Sequence, residues 1–570
     1  MDRWLKYGGA VVILGIMTLL ASSWNGIILA SLERYQTPFS LSSYMVTARE
    51  TVGEPQTERI IWVIADGLSP EAVGKLPFLS ALSKEGAYRE LTTGQPGFCK
   101  PSYATISSGA WPEVHGVLFD GYQGAMAVDN LFLRLKEAGL KTDAVAHRWW
   151  RELNGNYFSD KSLFYTAHES SNSLMDQRVY RQALDFVQNS DSHLLLVHFP
   201  KQSTVNNLDK FISGLAADID FQQETLFITS SSSPTGTVPL IAAGKGISPG
   251  HYDPANQIDL ATTIAGLSGI TGPTEAQGRI LWEMLTVPAQ YRSRLERART
   301  QVFAEFASAY VTKLGYSGLT RKNLSEAALI LDESERLHRT AIYEGAFQAA
   351  QDAHRILSAA LAQVREDKIW RGRWGRLPVV ILLVALIAWA QSKPAFRHRL
   401  ILFAAGLLYL LWYQLFFSGV FQNAFGPELL ANLSESGFFR VFAVPAYLGV
   451  VLTLLLTGLL RRLCQAFPPL ARPEEGYWEA FSDYLAAIMG IHLWLTLLAA
   501  LGFLVHDTVV SWYVPDLKWI TITLAVLQQI IYLAPVILVA PALPFGENYL
   551  FNLVVKSKTK QDMPETGYNR

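Results

Sequence analysis

The stretch Ile60-Ile61-Trp62-Val63-Ile64-Ala65-Asp66-Gly67 decides the fold. It is a short, β-branched apolar run with no polar alternation, and it stops at an acidic residue and a glycine. A strand covered on both faces of a parallel sheet reads this way, because both sets of its side chains lie against helices. Outward from it, Leu131 to Gly139 has the spacing of an amphipathic helix and Lys141 to Ala146 reads as a second strand. Leu194 to His198 and Thr225 to Thr229 are two more apolar strands, with a helix expected between them at Asn207 to Ala217. Strands alternating with helices predict an α/β domain, a mostly parallel sheet with helices on both faces. Ligands of such sheets sit beyond the carboxyl ends of the strands, which is where Asp66 stands.

The rest of the chain differs in kind. Half of the 570 residues are hydrophobic and 17% are charged, against about 25% charged in ordinary soluble domains. The deficit lies in 377–545, which is dominated by Leu, Val, Ile, Phe and Trp, and in an N-terminal run from Gly8 to Leu32. Apolar runs of about 20 residues cross a bilayer. Six spans are expected: 8–32, 377–391, 400–422, 438–460, 479–505 and 519–543. The first run is read as an uncleaved anchor, because the apolar sequence resumes at Gly26 after the small residues Ala21, Ser22 and Ser23. Cytoplasmic loops are enriched in Lys and Arg. The loop with Lys393, Arg397 and Arg399, the one with Arg461, Arg462 and Arg472, and the tail with Lys556, Lys558 and Lys560 are therefore assigned inside. Both termini are then cytoplasmic and the α/β domain faces the periplasm, as in a multi-pass bacterial inner-membrane protein. Arg371, Arg373 and Arg376 fall on the outer side against that rule.

The expected organisation is an anchor at 1–35, the α/β domain at 36–285, a helical stalk at 286–376, a five-span all-α bundle at 377–545 and a cytoplasmic tail at 546–570. The stalk, rich in Ala, Glu, Gln and Arg, is expected to be a solvated spacer. A net charge of -1 gives no case for a nucleic-acid partner. Two cysteines, Cys99 and Cys464, support neither a disulfide scaffold nor a cysteine zinc site.

Three pieces stand in order along the α/β domain: Val63-Ile64-Ala65-Asp66-Gly67, Cys99-Lys100-Pro101-Ser102-Tyr103, and Ser108-Gly109-Ala110-Trp111-Pro112-Glu113-Val114-His115-Gly116-Val117. Val238 to Ile247, Gln257 to Ala261 and Gln277-Gly278-Arg279 follow. Over about residues 58 to 285 the sequence resembles the alkaline phosphatase superfamily. Its nearest branches look like the nucleotide pyrophosphatase/phosphodiesterases, the sulfatases and the ethanolamine-phosphate transferases of glycolipid anchor synthesis. The resemblance implies two zinc-like ions that bridge a phosphate, the role of a two-metal centre being to stabilise attacking and leaving oxygens. It implies Asp66 as a metal ligand and Cys99 at the nucleophile position.

Cys99 has three readings. It is a thiolate nucleophile helped by Lys100, or, since Cys99-Lys100-Pro101-Ser102 resembles the sulfatase Cys-x-Pro-Ser-Arg signature, a formylglycine precursor, although Tyr103 replaces the arginine. The third reading is a small buried residue in a vestigial site. The second metal cluster implied by the resemblance is missing from the sequence. The stretch after His198 is Phe199-Pro200-Lys201-Gln202-Ser203-Thr204-Val205, and the next strand runs into Ser230-Ser231-Ser232-Ser233, where an Asp-His pair is implied. Hydroxyls do not replace carboxylate and imidazole at such ions. Asp120 lies near an implied oxyanion-binding asparagine, where a carboxylate would repel phosphate. Asp120, His198, Ser231 and Ser232 are therefore the expected pocket, with Asp66 a vestigial or single metal site. No cofactor is expected, and zinc only if the site is active.

The favoured expectation is a pseudoenzyme that binds or scaffolds an envelope protein, lipid or glycan partner besides the bilayer. The rival is an active phospho- or sulfo-ester hydrolase or transferase using Cys99. A third class, a transporter, draws only on Arg440, Glu479, Asp483 and His492 in or near the spans. His492 is expected to make an interhelical hydrogen bond.

Overall fold

A computed structural model describes residues 2–39, 52–94, 98–166, 172–200, 205–233, 236–315, 319–392, 396–426, 429, 439–466, 476–547 and 549. The chain divides into two compact units, one of residues 35–370 and 511–514, the other of 1–34, 371–510 and 515–570.

The first unit is built on one sheet. Its strands are β1 (Arg59–Ala65), β2 (Ala87–Thr92), β3 (Thr142–His147), β4 (Leu163–Tyr165), β5 (Leu194–Phe199), β6 (Glu224–Thr229), β7 (Thr237–Gly244), β8 (Gly250–His251) and β9 (Ala255–Asn256). The order across the sheet is β4-β3-β5-β1-β6-β7-β2-β8, with β9 also on β2. The β4-β3-β5-β1-β6 block is parallel, and β7 runs antiparallel to both β6 and β2. The mostly parallel α/β sheet read from Ile60–Gly67 is present, and β1 lies near its middle. Its side chains divide by parity. Ile60, Trp62 and Ile64 enter one core and Ile61, Val63 and Ala65 the other, all 0–1% exposed. Burial of each Ile or Val side chain contributes about 1.5–3 kcal/mol, and the absence of alternation is the signature of two buried faces.

The solvated-spacer expectation for the stalk is corrected. Leu295, Phe303, Phe306, Ala307 and Tyr310 on the helix Ala289–Lys313, and Phe347, Ala353, Leu357, Leu361 and Val364 on the helix Tyr343–Ser392, belong to the same core as Trp62 and Ile64. The many charges between these positions are the outer faces of helices whose inner stripe is apolar.

Among the described residues of the second unit, five helices are long and apolar enough to cross a membrane: Tyr7–Glu33, Arg397–Val420, Arg440–Leu463, Tyr477–Val505 and Leu517–Glu547. The remaining expected span, 377–391, is the end of the 50-residue helix Tyr343–Ser392, and part of it lies outside the described side chains, as do Lys393, Arg472 and the tail lysines. The helices Phe396–Gln414 and Tyr477–Val505 meet through glycine. A Cβ on Gly490 would fall 2.1 Å from the Leu402 carbonyl oxygen, the close backbone approach that small residues permit in membranes. Two buried carboxylates are each clamped by cations. Asp483 takes Arg397 at 2.6 Å and His398 at 3.6 Å, and Glu547 takes Arg461 at 2.6 Å and Arg462 at 2.5 Å. His492 does not make the expected interhelical bond: its Nδ1 meets the Ile488 carbonyl of its own helix at 2.9 Å.

Candidate functional site

The site forms where β1, β5 and β6 end side by side. Ile64 is in register with His198 on one side and Thr229 on the other. The next residues outward, Asp66 and Ser231, therefore leave the sheet together. The helix Cys99–Ser108 packs above them and brings Tyr103 down onto the strand ends.

Asp66 is the centre. Its side chain is 4% exposed and accepts three protein donors. Tyr103 Oη donates to Oδ2 at 2.6 Å, His198 Nε2 lies 2.9 Å from the same oxygen, and Ser231 Oγ donates to Oδ1. Tyr103 Oη and His198 Nε2 are themselves 3.1 Å apart. The tautomer of His198 follows from its other nitrogen, which accepts the His147 backbone N–H at 3.3 Å and lies 3.0 Å from Tyr165 Oη. Nδ1 is thus the acceptor and Nε2–H the donor to Asp66. Burial on its own would raise the Asp66 pKa, but His198, Ser231 and Tyr103 together carry it below the usual carboxylate value. Burial, then the neighbouring Asp66 carboxylate, drives the Tyr103 hydroxyl far above its ordinary value, so it stays a donor.

The other expected site residues are placed as follows. Cys99 is the first residue of its helix and half-buried. The Asp120 carboxylate accepts the Lys100 backbone N–H at 2.8 Å and is bonded by that of Cys99. It caps the helix end that would otherwise receive an anion. Burial raises the Asp120 pKa, and the charge of Asp66 adds to that rise. Lys100 is buried, with Nζ on the Tyr122 carbonyl at 2.7 Å, 3.3 Å from Glu152, and over the Trp149 ring at 5.0 Å. Ser232 is half-buried and its carbonyl accepts Ser230 Oγ at 3.1 Å. Gln257 Nε2 holds the turn by donating to the carbonyls of Ser230 and Ser231.

Tyr103 and Tyr165 are the members that sequence reasoning missed. Tyr103 was read only as a departure from an arginine position. No local pattern marks either residue, because the contact to Asp66 spans 37 positions and that to His198 spans 33.

Zinc centres use carboxylate, imidazole and thiolate groups, and Asp66 has only one imidazole and two neutral hydroxyls on it. Among the described residues no group of three or more His, Cys, Asp or Glu side chains stands close enough to hold an ion. These residues do not fit a dinuclear centre.

Residues 60–175 match the family model of type I phosphodiesterase / nucleotide pyrophosphatase. The match lies within the first unit. No curated protein matches the chain by sequence. Solved structures similar to this chain include a 2-O GAG sulfatase at 14% identity, covering 40% of this chain and 73% of that one, with a TM-score of 0.34. An alkaline phosphatase superfamily protein from Vibrio parahaemolyticus is 15% identical over 47% of this chain and 79% of its own, with a TM-score of 0.34. Murine ectonucleotide pyrophosphatase / phosphodiesterase 5 is 11% identical over 38% and 96%, with a TM-score of 0.31.

Proposed function

We propose that the superfamily domain is catalytically silent and serves as an extracytoplasmic binding or scaffolding module of a membrane-embedded cell-envelope protein, with both chain termini in the cytoplasm. One observation carries the reading. The carboxylate that matches the superfamily's first metal ligand is saturated by Tyr103, His198 and Ser231, so protein hydrogen bonds supply the stabilisation that cations supply in a two-metal site. The surrounding charge agrees. Asp66 and Asp120 are both carboxylates, and the nearby Lys100 ammonium is turned to Tyr122 and Glu152. A phosphate or sulfate ester brought here meets two anions without two compensating cations, a net repulsion in a buried site. The partner is a protein, lipid or glycan of the envelope.

The test is zinc content of the purified full-length protein after zinc exposure, beside Asp66→Ala. No stoichiometric metal in either is expected. Two ions per chain, lost in Asp66→Ala, would overturn the reading.

One observation favours the rival, an active ester hydrolase or transferase. Cys99 sits at the start of a helix, where aligned N–H groups favour negative charge, and it is only half-buried. That reading requires formylglycine or a covalent phospho-adduct at Cys99 in peptide mass spectrometry. The silent reading requires an unmodified thiol.

A further inference from the structure

The helix Ala289–Lys313 carries Arg299, whose side chain is completely buried. Its Nη2 donates to the carbonyls of Ala276 and Gly278, which fastens the helix to the loop that follows the sheet. Its guanidinium carbon lies 5.6 Å from the centre of the Phe303 ring. Nε and Nη1, however, meet no acceptor among the described residues. His354, from the helix Tyr343–Ser392, stacks on the same Phe303 ring at 4.5 Å, and its Nδ1 is buried and unpartnered too. Glu296 lies nearest in charge, but its carboxylate is anchored by Trp282 Nε1 at 2.6 Å and makes no hydrogen bond to the guanidinium.

A buried cation with unpaired N–H groups is expensive, and native interiors supply a partner for such groups. Burial pulls Arg299 down to about 10, because Glu296 offsets the lost solvation only in part. Burial, then the charge of Arg299, holds His354 near 3, so its ring is neutral, and the tautomer with hydrogen on Nδ1 makes that atom a donor. Water would satisfy the N–H groups and leave the charge only partly compensated by Glu296. A small anion satisfies both. We propose that Arg299 Nε and Nη1, with His354 Nδ1, bind a monovalent anion of the halide class, which ties the helices Ala289–Lys313 and Tyr343–Ser392 to the Ala276–Gly278 loop.

The experiment uses the full-length protein in detergent. Thermal unfolding is followed as chloride replaces gluconate at constant ionic strength, and crystals grown in bromide are measured at the bromine edge. The expected results are a rise in Tm of several degrees on going to saturating chloride and one anomalous peak beside Arg299. His354→Phe, which keeps the ring stack, should weaken the chloride dependence, and Arg299→Met should remove it. If Arg299→Met fails to fold, the bromide peak in the unaltered protein still decides. Equal Tm values in chloride and gluconate with no peak would overturn the proposal in favour of buried water. An equal rise with sulfate would overturn it as a general salting effect.

Discussion

Asp66 shows how one carboxylate changes role with its neighbours. Three donors on a 4%-exposed group make it a keystone of the strand ends, and removing it strands Tyr103 and His198 without their acceptor. Asp66→Ala is expected to lower stability by about 3 kcal/mol, read from urea unfolding of the full-length protein. The sign of the pH dependence follows from the depressed pKa. The stabilisation is present above about pH 4, the unfolded carboxylate value, and is lost as pH falls through the lower folded value. The gap between Asp66→Asn and the unaltered protein should therefore close on acidification below pH ~4. Tyr103→Phe removes a single donor and should cost about 1–2 kcal/mol. It should also leave zinc binding absent, because the hydroxyl was one of three supports and no ligand is added. Asp66 and His198 were legible as residues near a strand end. Their partnership with Tyr103 was not, since a hydrogen bond across the fold leaves no periodic trace.

At the scale of elements, the helix Cys99–Ser108 is fixed at both ends by features that sequence reading interpreted chemically. Gly109, part of the third stretch that carries the family resemblance, is the left-handed end of this helix at φ 66°, and a Cβ there would meet Ala276 Cβ at 2.9 Å and the Ile258 carbonyl at 3.1 Å. Gly109→Ala should cost at least about 1–2 kcal/mol from the backbone alone, checked by the same unfolding midpoint. Asp120, which the sequence marks as a residue that would repel phosphate, is the helix's cap, its carboxylate taking the Lys100 and Cys99 backbone N–H groups. Asp120→Ala should cost about 1 kcal/mol. The helices at 289–313 and 343–364 teach a related lesson. Their composition reads as solvated because most positions face water, yet one apolar stripe of each closes the core over the sheet.

For the whole molecule, the membrane-spanning helices are readable from length and apolarity, because lipid imposes one requirement along the entire segment. Within that unit the informative prediction concerns pairing. Arg397→Ala leaves Asp483, 2% exposed, without its 2.6 Å partner, and should destabilise the protein by about 3 kcal/mol, measured as loss of detergent thermal stability. Orientation has its own check. A cysteine placed beside Arg399 should resist a membrane-impermeant thiol reagent added outside intact cells, and one placed at Gln222 should react. The reverse pattern would invert the assigned topology.

Sequence alone carries the α/β class, the apolar runs and the identity of the residues that follow β5 and β6. Each of these is written locally, in runs of side chains that share one environment or in the identity of a single residue at a strand end. The partners of Asp66, the direction of β7 and the place of the charged helices after residue 286 in the core become fixed only in three dimensions. Those outcomes depend on residues tens of positions apart meeting in space. A tyrosine hydroxyl becomes the partner of Asp66, and a buried arginine is left short of acceptors, only when the chain has closed around them.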